Sequence, residues 1–243
     1  MARSEAFRVM SGFTVFPDNI ALAEHAAQQW LQRLAARDDS MPFTVALSGG
    51  RTPKLLYKAV VKQATEGSLN NVHIFWGDER VVPPTDEESN FKLAAVSLLL
   101  ALKIPDENVH RILTERGEAF AVQQAEAELC RIADLNDAGQ PIFDLVFLGM
   151  GEDGHVASLF PGDAEALEST AVYRAVNGLK PPPRRITLGY PALAAAREVW
   201  LLLSGEGKAG MLRGSMAPEG GTPLARVLQS RTQTEIFPDF DLQ

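Results

Sequence analysis

The sequence predicts an α/β fold: a mostly parallel, doubly wound sheet with helices on both faces. Three observations carry this. Short apolar runs of strand length alternate with amphipathic helical stretches, the pattern of parallel strands joined by covering helices. The 243 residues are 46% hydrophobic and 22% charged, which suits one well-filled core. No repeat or low-complexity linker divides them, so a single α/β domain over residues 1–243 is expected. Finally, several strands end in loops of unusual composition, and such sheets bind ligands beyond the carboxyl ends of their strands.

In chain order, "IALAEHAAQQWLQRLAA" places Ile20, Ala23, Ala27, Trp30, Leu31 and Leu34 at helical spacing. "FTVALS" (43–48) is a short apolar strand. "GGRTP" then turns the chain, with Thr52 expected as N-cap and Pro53 as first helical residue. "KLLYKAVVKQA" continues that helix. "VHIFWGDE" (72–79) is a strand ending in charge. "SNFKLAAVSLLLAL" is a helix that Ser89 or Asn90 could cap. A helix over about 118–136 carries Cys130 as a small buried hydrophobe. "FDLVFL" (143–148) is a buried strand. Residues 163–183 look irregular and end in the stiff "KPPPRR". "ITLGY", a short helix "PALAAAR", the strand "EVWLLLSG", a helix opening at "GKAGMLRG" and a final strand "TEIF" complete the pattern.

Composition narrows the function. One cysteine excludes an intramolecular disulfide and a multi-cysteine metal site. A net charge of −8 with no basic stripe argues against nucleic acid, though not against an anionic small molecule held by a few convergent cations. No apolar stretch approaches a membrane span, and "MARSEAFRVMSGF" lacks the apolar core of a signal peptide, so a cytoplasmic protein is expected. His25, His73, His110 and His155 show no metal-ligand spacing, and no metal is expected.

The strand rule selects four loops, after residues 48, 76, 148 and 203. After 148 comes Gly149-Met-Gly151-Glu-Asp-Gly154, formally G-x-G-x-x-G, followed by His155. A dinucleotide site would need a continuous helix and then a strand ending in an acid. Here Pro161 and Gly162 follow within two turns, and Glu152 and Asp153 would face a pyrophosphate unfavourably. The glycines instead suit close ligand approach and exposed N–H groups that could hold a developing oxyanion. His155 beside them suits a general base, with Glu152 or Asp153 fixing its tautomer. "SGGRTP" offers Gly49, Gly50, Arg51 and Thr52 to a phosphate at a helix N-terminus, without P-loop spacing. "WGDERVVPP" offers Asp78 and Arg80 at a strand end. Lys208 in "SGEGKAGMLRG" stands at a helix start, where a cation opposes the dipole. Lys180, Arg184 and Arg185 are further cations on the "KPPPRR" loop. No G-x-S-x-G elbow is present, so a water nucleophile fits better than a serine.

These pieces resemble the 6-phosphogluconolactonases of the glucosamine-6-phosphate isomerase/deaminase superfamily. The likeness rests on "LSGGRTP", "WGDERVVPPTDEESN", "LGMGEDGHVASLFPG", "PPPRRITL" and "GEGKA", in family order from about 47 to 209. The resemblance implies that superfamily's fold. It also implies hydrolysis of 6-phospho-D-glucono-1,5-lactone to 6-phosphogluconate in the oxidative pentose phosphate pathway, with no cofactor. By the same resemblance His155 is the base that activates water and Asp153 its orienting partner. Arg80 and Lys208 hold the phosphate beside Gly49, Gly50 and Thr52. Asp78, Asn90, Gly151 and Arg185 occupy further substrate-binding positions. Arg51 stands where many relatives have Ser, and Val156 where Thr is common. The expected partner is a sugar phosphate, with no nucleic acid and no membrane, for a monomer or small homo-oligomer. Two alternatives stand beside this. A sugar-phosphate isomerase/deaminase would carry an acid after "GH", which "GHVASLFPG" lacks. A sugar-phosphate-sensing regulator would need a DNA-binding segment before residue 43 and would have no use for His155.

Overall fold

The computed structural model describes residues 13–178 and 180–242. The stretch behind the signal-peptide reading lies outside them, apart from Phe13. The chain opens with α1 (Asn19–Ala36), N-capped by Asp18, whose Oδ1 accepts from Ile20 N and Ala21 N. Then follow β1 (Phe43–Leu47), α2 (Arg51–Gln63), β2 (Val72–Trp76) and β3 (Asp78–Arg80). The helix expected after residue 89 runs as α3 (Asn90–Ala94), a π-helical turn (Ala95–Leu99) and α4 (Leu100–Leu102). Next come α5 (Glu118–Ile132), β4 (Leu145–Leu148), α6 (Ala164–Glu168), β5 (Tyr173–Asn177) and β6 (Arg184–Leu188). The chain closes with α7 (Tyr190–Ala195), β7 (Glu198–Leu203), α8 (Ala209–Met216), α9 (Pro223–Gln229) and β8 (Thr234–Pro238).

Five strands form one parallel sheet in the order β2-β1-β4-β7-β8. Its central strands are apolar throughout because both faces are covered: Leu145, Val146, Phe147 and Leu148 are all buried. On one face Trp30 of α1 meets Phe147 edge-on at 5.2 Å, Phe147 meets Trp200 at 5.6 Å, and Trp200 meets Phe237 at 5.3 Å. That aromatic row explains the helical spacing of the first apolar stretch. From β1 the chain goes first to β2 on one side and later to β4 on the other. The strand order therefore reverses between β1 and β4, and a crevice opens at their carboxyl ends.

The structure corrects the expectations in five places. Strand 72–79 is broken at Gly77, and β2 and β3 belong to different sheets. The segment read as irregular, 163–183, holds α6 and β5; β5 completes an antiparallel sheet in the order β3-β6-β5. Helix α9, capped by Thr222, was not anticipated. Thr52 is not an N-cap: α2 begins two residues earlier than expected, at Arg51, with Gly50 as its cap at φ 105°. Cys130 is only half-buried, and burial raises its thiol above the ordinary value.

Candidate active site

The crevice is a pocket of about 400 Å³, and all four selected loops reach it. After β1 come Ser48 to Pro53; beyond β2 come Asp78 and Arg80. After β4 come Gly149 to Gly151 and His155; after β7 come Ser204, Gly205 and Lys208. Asn90 and Arg185 complete the predicted set, and Asp153 alone of that set stands off the wall, behind the imidazole. Asn19 and Ala157 also line the pocket; Asn19 lies in none of the motifs, and Ala157 lies within "LGMGEDGHVASLFPG" but is not among its candidate site residues.

The loop after β4 is built around His155. Asp153 Oδ1 lies 2.6 Å from His155 Nδ1 and also accepts the His155 backbone N–H at 3.3 Å. With Nδ1 donating to the carboxylate, Nε2 carries the lone pair. Burial pushes the Asp153 carboxyl up, but the hydrogen bonds from His155 outweigh it and hold the group below its usual value. Asp153 is therefore the carboxylate hydrogen-bonded to the ring. Gly151 is dictated by close approach: a Cβ there would collide with the imidazole Nδ1 and Cε1 and with Asp153 Oδ1. Its N–H donates to the His155 carbonyl at 2.9 Å, which closes the loop. Gly151 is thus a wall of the pocket and not an oxyanion donor, contrary to the reading of the glycines as exposed N–H groups. Among the described residues no helix starts at Gly154, and the next, α6, begins only at Ala164, so the dinucleotide geometry is absent. Ala157 holds φ 50°, a left-handed conformation unusual for a side-chain-bearing residue.

The loop is tied to the small sheet. Ser158, fully buried, donates its Oγ to Asp78 Oδ2 at 2.6 Å, and its N–H reaches Thr187 Oγ1 at 3.1 Å. Asp78 Oδ1 accepts from Asn90 Nδ2 at 3.2 Å. Both carboxylate oxygens of Asp78 are thus engaged inside the protein, and it joins the His155 loop, β3 and α3. Gly49 fits under Asn90, whose Oδ1 a Cβ would strike. Neighbouring Glu79 accepts from Asn90 N, Phe91 N, Arg80 N and Ser89 Oγ, which fastens the start of α3 to β3. Ser89 caps that helix by accepting from Lys92 N.

Four cations face the pocket in two neighbouring pairs. Arg80 and Arg185 stand directly opposite each other across β3 and β6. Burial first, then the Arg80 charge, lowers the Arg185 pKa. Arg80 Nη1 is anchored on the Glu88 carbonyl at 2.6 Å. Lys208 and Arg51 form the other pair, at the starts of α8 and α2. Burial, followed by the charge of Arg51, pulls Lys208 below its ordinary value, against the pull of Asp239 and Glu152. The turn carrying Arg51 is braced by buried Tyr57, whose hydroxyl donates to Ser48 O at 2.5 Å and accepts from Ser48 N at 3.2 Å. Of the other candidate cations, Arg184 instead pairs with Glu118.

Known proteins resemble this chain in sequence and fold. The profile of the family "Glucosamine-6-phosphate isomerases/6-phosphogluconolactonase" matches residues 17–236. The 6-phosphogluconolactonase of Mycobacterium tuberculosis is 39% identical over 212 residues, covering 82% of this chain and 83% of its own. That of Haemophilus influenzae is 35% identical over 225 residues, covering 89% and 94%. Among solved structures, 6-phosphogluconolactonase from Trypanosoma brucei superposes with a TM-score of 0.85 at 27% identity, covering 94% of this chain and 96% of that one. Among the described residues no helix is long and apolar enough to cross a membrane. The chain is an enzyme of the family of glucosamine-6-phosphate isomerases and 6-phosphogluconolactonases, in which its sequence relatives are the lactonases.

Proposed function

We propose that the chain hydrolyses 6-phospho-D-glucono-1,5-lactone to 6-phosphogluconate, serving the oxidative pentose phosphate pathway. One observation carries the mechanism: the Asp153–His155 pair, 2.6 Å apart, opens onto a pocket lined by four cations. His155 Nε2 takes a proton from water as the water oxygen bonds to the lactone C1. The carbonyl π electrons move onto oxygen, giving a tetrahedral oxyanion. Its collapse breaks the C1–ring-oxygen bond, and the imidazolium returns the proton to the departing ring oxygen. The new carboxylic acid then ionises and releases one proton. Asp153 stays ionised throughout, holds the ring by Nδ1 and stabilises the imidazolium.

Arg80 and Lys208 hold the phosphate with the Gly49–Gly50 turn and the Thr52 hydroxyl, and Arg51 adds a further cation there. Asn90 and Arg185 contact the sugar, while Asp78 positions Asn90 and the His155 loop. Anchoring the remote phosphate fixes C1 near the activated water, so binding energy lowers the barrier at the reacting carbon. A positioned base contributes ~10²–10⁴-fold, ample for an already electrophilic lactone.

The test is acid release from freshly prepared lactone, corrected for spontaneous hydrolysis. His155→Ala should lose at least ~10²-fold in kcat; a mutant rate equal to wild type removes the base assignment. Arg80→Ala and Lys208→Ala should chiefly raise KM. Ammonia release from glucosamine 6-phosphate at a comparable rate would assign the chain to the isomerase/deaminase chemistry instead.

A further inference from the structure

We propose that Phe160 is a positioning residue for the His155 imidazole, an inference that rests on His155 being the base. The hydrogen bond to Asp153 holds the Nδ1 edge of the ring. Gly151 closes off the Nδ1–Cε1 edge. The ring of Phe160 supplies the remaining restraint: its centroid lies 5.0 Å from that of the imidazole, at an interplanar angle of 48°.

Phe160 does not line the substrate pocket. It lines a separate cavity of about 530 Å³ bounded by the α6 and α9 segments, so it acts on the substrate only through its neighbours. Its own place is fixed from several sides. The Arg185 guanidinium carbon lies 5.9 Å from the ring centroid. Gly178, at the end of β5, leaves room for the ring: a methyl at 178 would stand 3.0 Å from Phe160 Cζ. Just upstream, Ser158 is bonded to Asp78 and Thr187, and Leu159 N donates to Val156 O, so the backbone leading to Phe160 is fastened to the small sheet.

The ring contact restrains the imidazole so that Nε2 keeps its direction into the pocket. That effect acts on turnover, not on the phosphate anchor. A mere filler at 160 would serve as well with any apolar side chain of similar bulk.

Phe160→Leu keeps an apolar side chain and loses the ring. It should lower kcat about 10-fold while the lactone KM stays within about two-fold. Gly178→Ala, whose methyl would stand 3.0 Å from Phe160 Cζ and 3.2 Å from Arg185 Nε, should lower kcat in the same direction and, through Arg185, raise KM as well. An unchanged kcat in Phe160→Leu, or an effect confined to KM, overturns the proposal. His155→Ala in the same assay separates the two readings. Its loss of activity beside an intact Phe160→Leu rejects the positioning role alone, whereas an active His155→Ala rejects the base on which both rest.

Discussion

Gly149 and Gly151 are two residues apart in one motif, yet only one of them has to be glycine. A Cβ at Gly151 would collide with the imidazole and with Asp153; a Cβ at Gly149 meets nothing within 4 Å. Gly151→Ala should therefore displace the His155–Asp153 pair and cost about 10²-fold in kcat. Gly149→Ala should stay within about three-fold, and circular dichroism should show both variants folded. Equal losses in the two would mean that the motif serves backbone flexibility rather than the packing of His155. Lys208 gives a second test at this scale. Burial and Arg51 lower its pKa, so it gives up its proton at a lower pH than an ordinary lysine. The protonated form is the one that binds a phosphate, so affinity is full below the depressed value and falls as pH rises through it. Calorimetric titration with 6-phosphogluconate should show this weakening in the wild type. Lys208→Arg should flatten it, because a guanidinium stays charged over that range.

At the scale of elements, what could be read from sequence divides by the kind of interaction that forms each one. The parallel strands and their helices were legible because burial on both faces writes continuous apolar runs, as in Leu145–Leu148. The small sheet was not. β5 shows an alternating burial pattern over only five residues, and β3 is three charged residues long. These strands exist because distant partners meet: Asp78 pairs with Thr187, and Tyr173 with Leu188. No local pattern encodes such pairings. The site shows the same division. Glycines and charges at strand ends marked the pocket, whereas Ser158, Thr187 and Phe160 act through contacts that only the folded chain reveals. Arg231 is another such residue. Its guanidinium collects the carbonyls of Leu193, Ala194 and Ala196 at the end of α7, along with those of Arg197 and Gln233. Losing a charged donor from several half-buried carbonyls should cost about 2–3 kcal/mol. Urea unfolding of Arg231→Met should register that loss with kcat little changed, since Arg231 stands outside the pocket wall. Arg231→Lys should recover only part of it, because an ammonium cannot fork across the same acceptors.

For the molecule as a whole, the parallel sheet has to protect its outer strands, and β2 is one of them. The segment after residue 108 covers it: Val109 bridges to Ile74, and His110 N donates to Ile74 O at 2.8 Å. The His110 ring then stacks on Phe75 at 4.5 Å and meets His73, with His73 Nδ1 and His110 Nε2 2.9 Å apart. One hydrogen between two ring nitrogens requires at least one neutral imidazole, and the neighbourhood favours neutrality. Burial, and then the proximity of His73, lower His110 from 6.5 to about 4, against the pull of Glu128. Burial also lowers His73. In the unfolded chain His110 titrates near its ordinary value of ~6.5. Between that value and about 4 the unfolded state therefore binds the extra proton and the folded state does not. Stability from this site is complete above the ordinary histidine pKa and is lost as pH falls across that window. Unfolding free energy measured by urea should fall between about pH 7 and about pH 5 in the wild type. His110→Phe keeps the stack on Phe75 and removes the titrating ring, so its fall over the same interval should be smaller. An equally steep fall in His110→Phe would place the acid sensitivity elsewhere in the molecule.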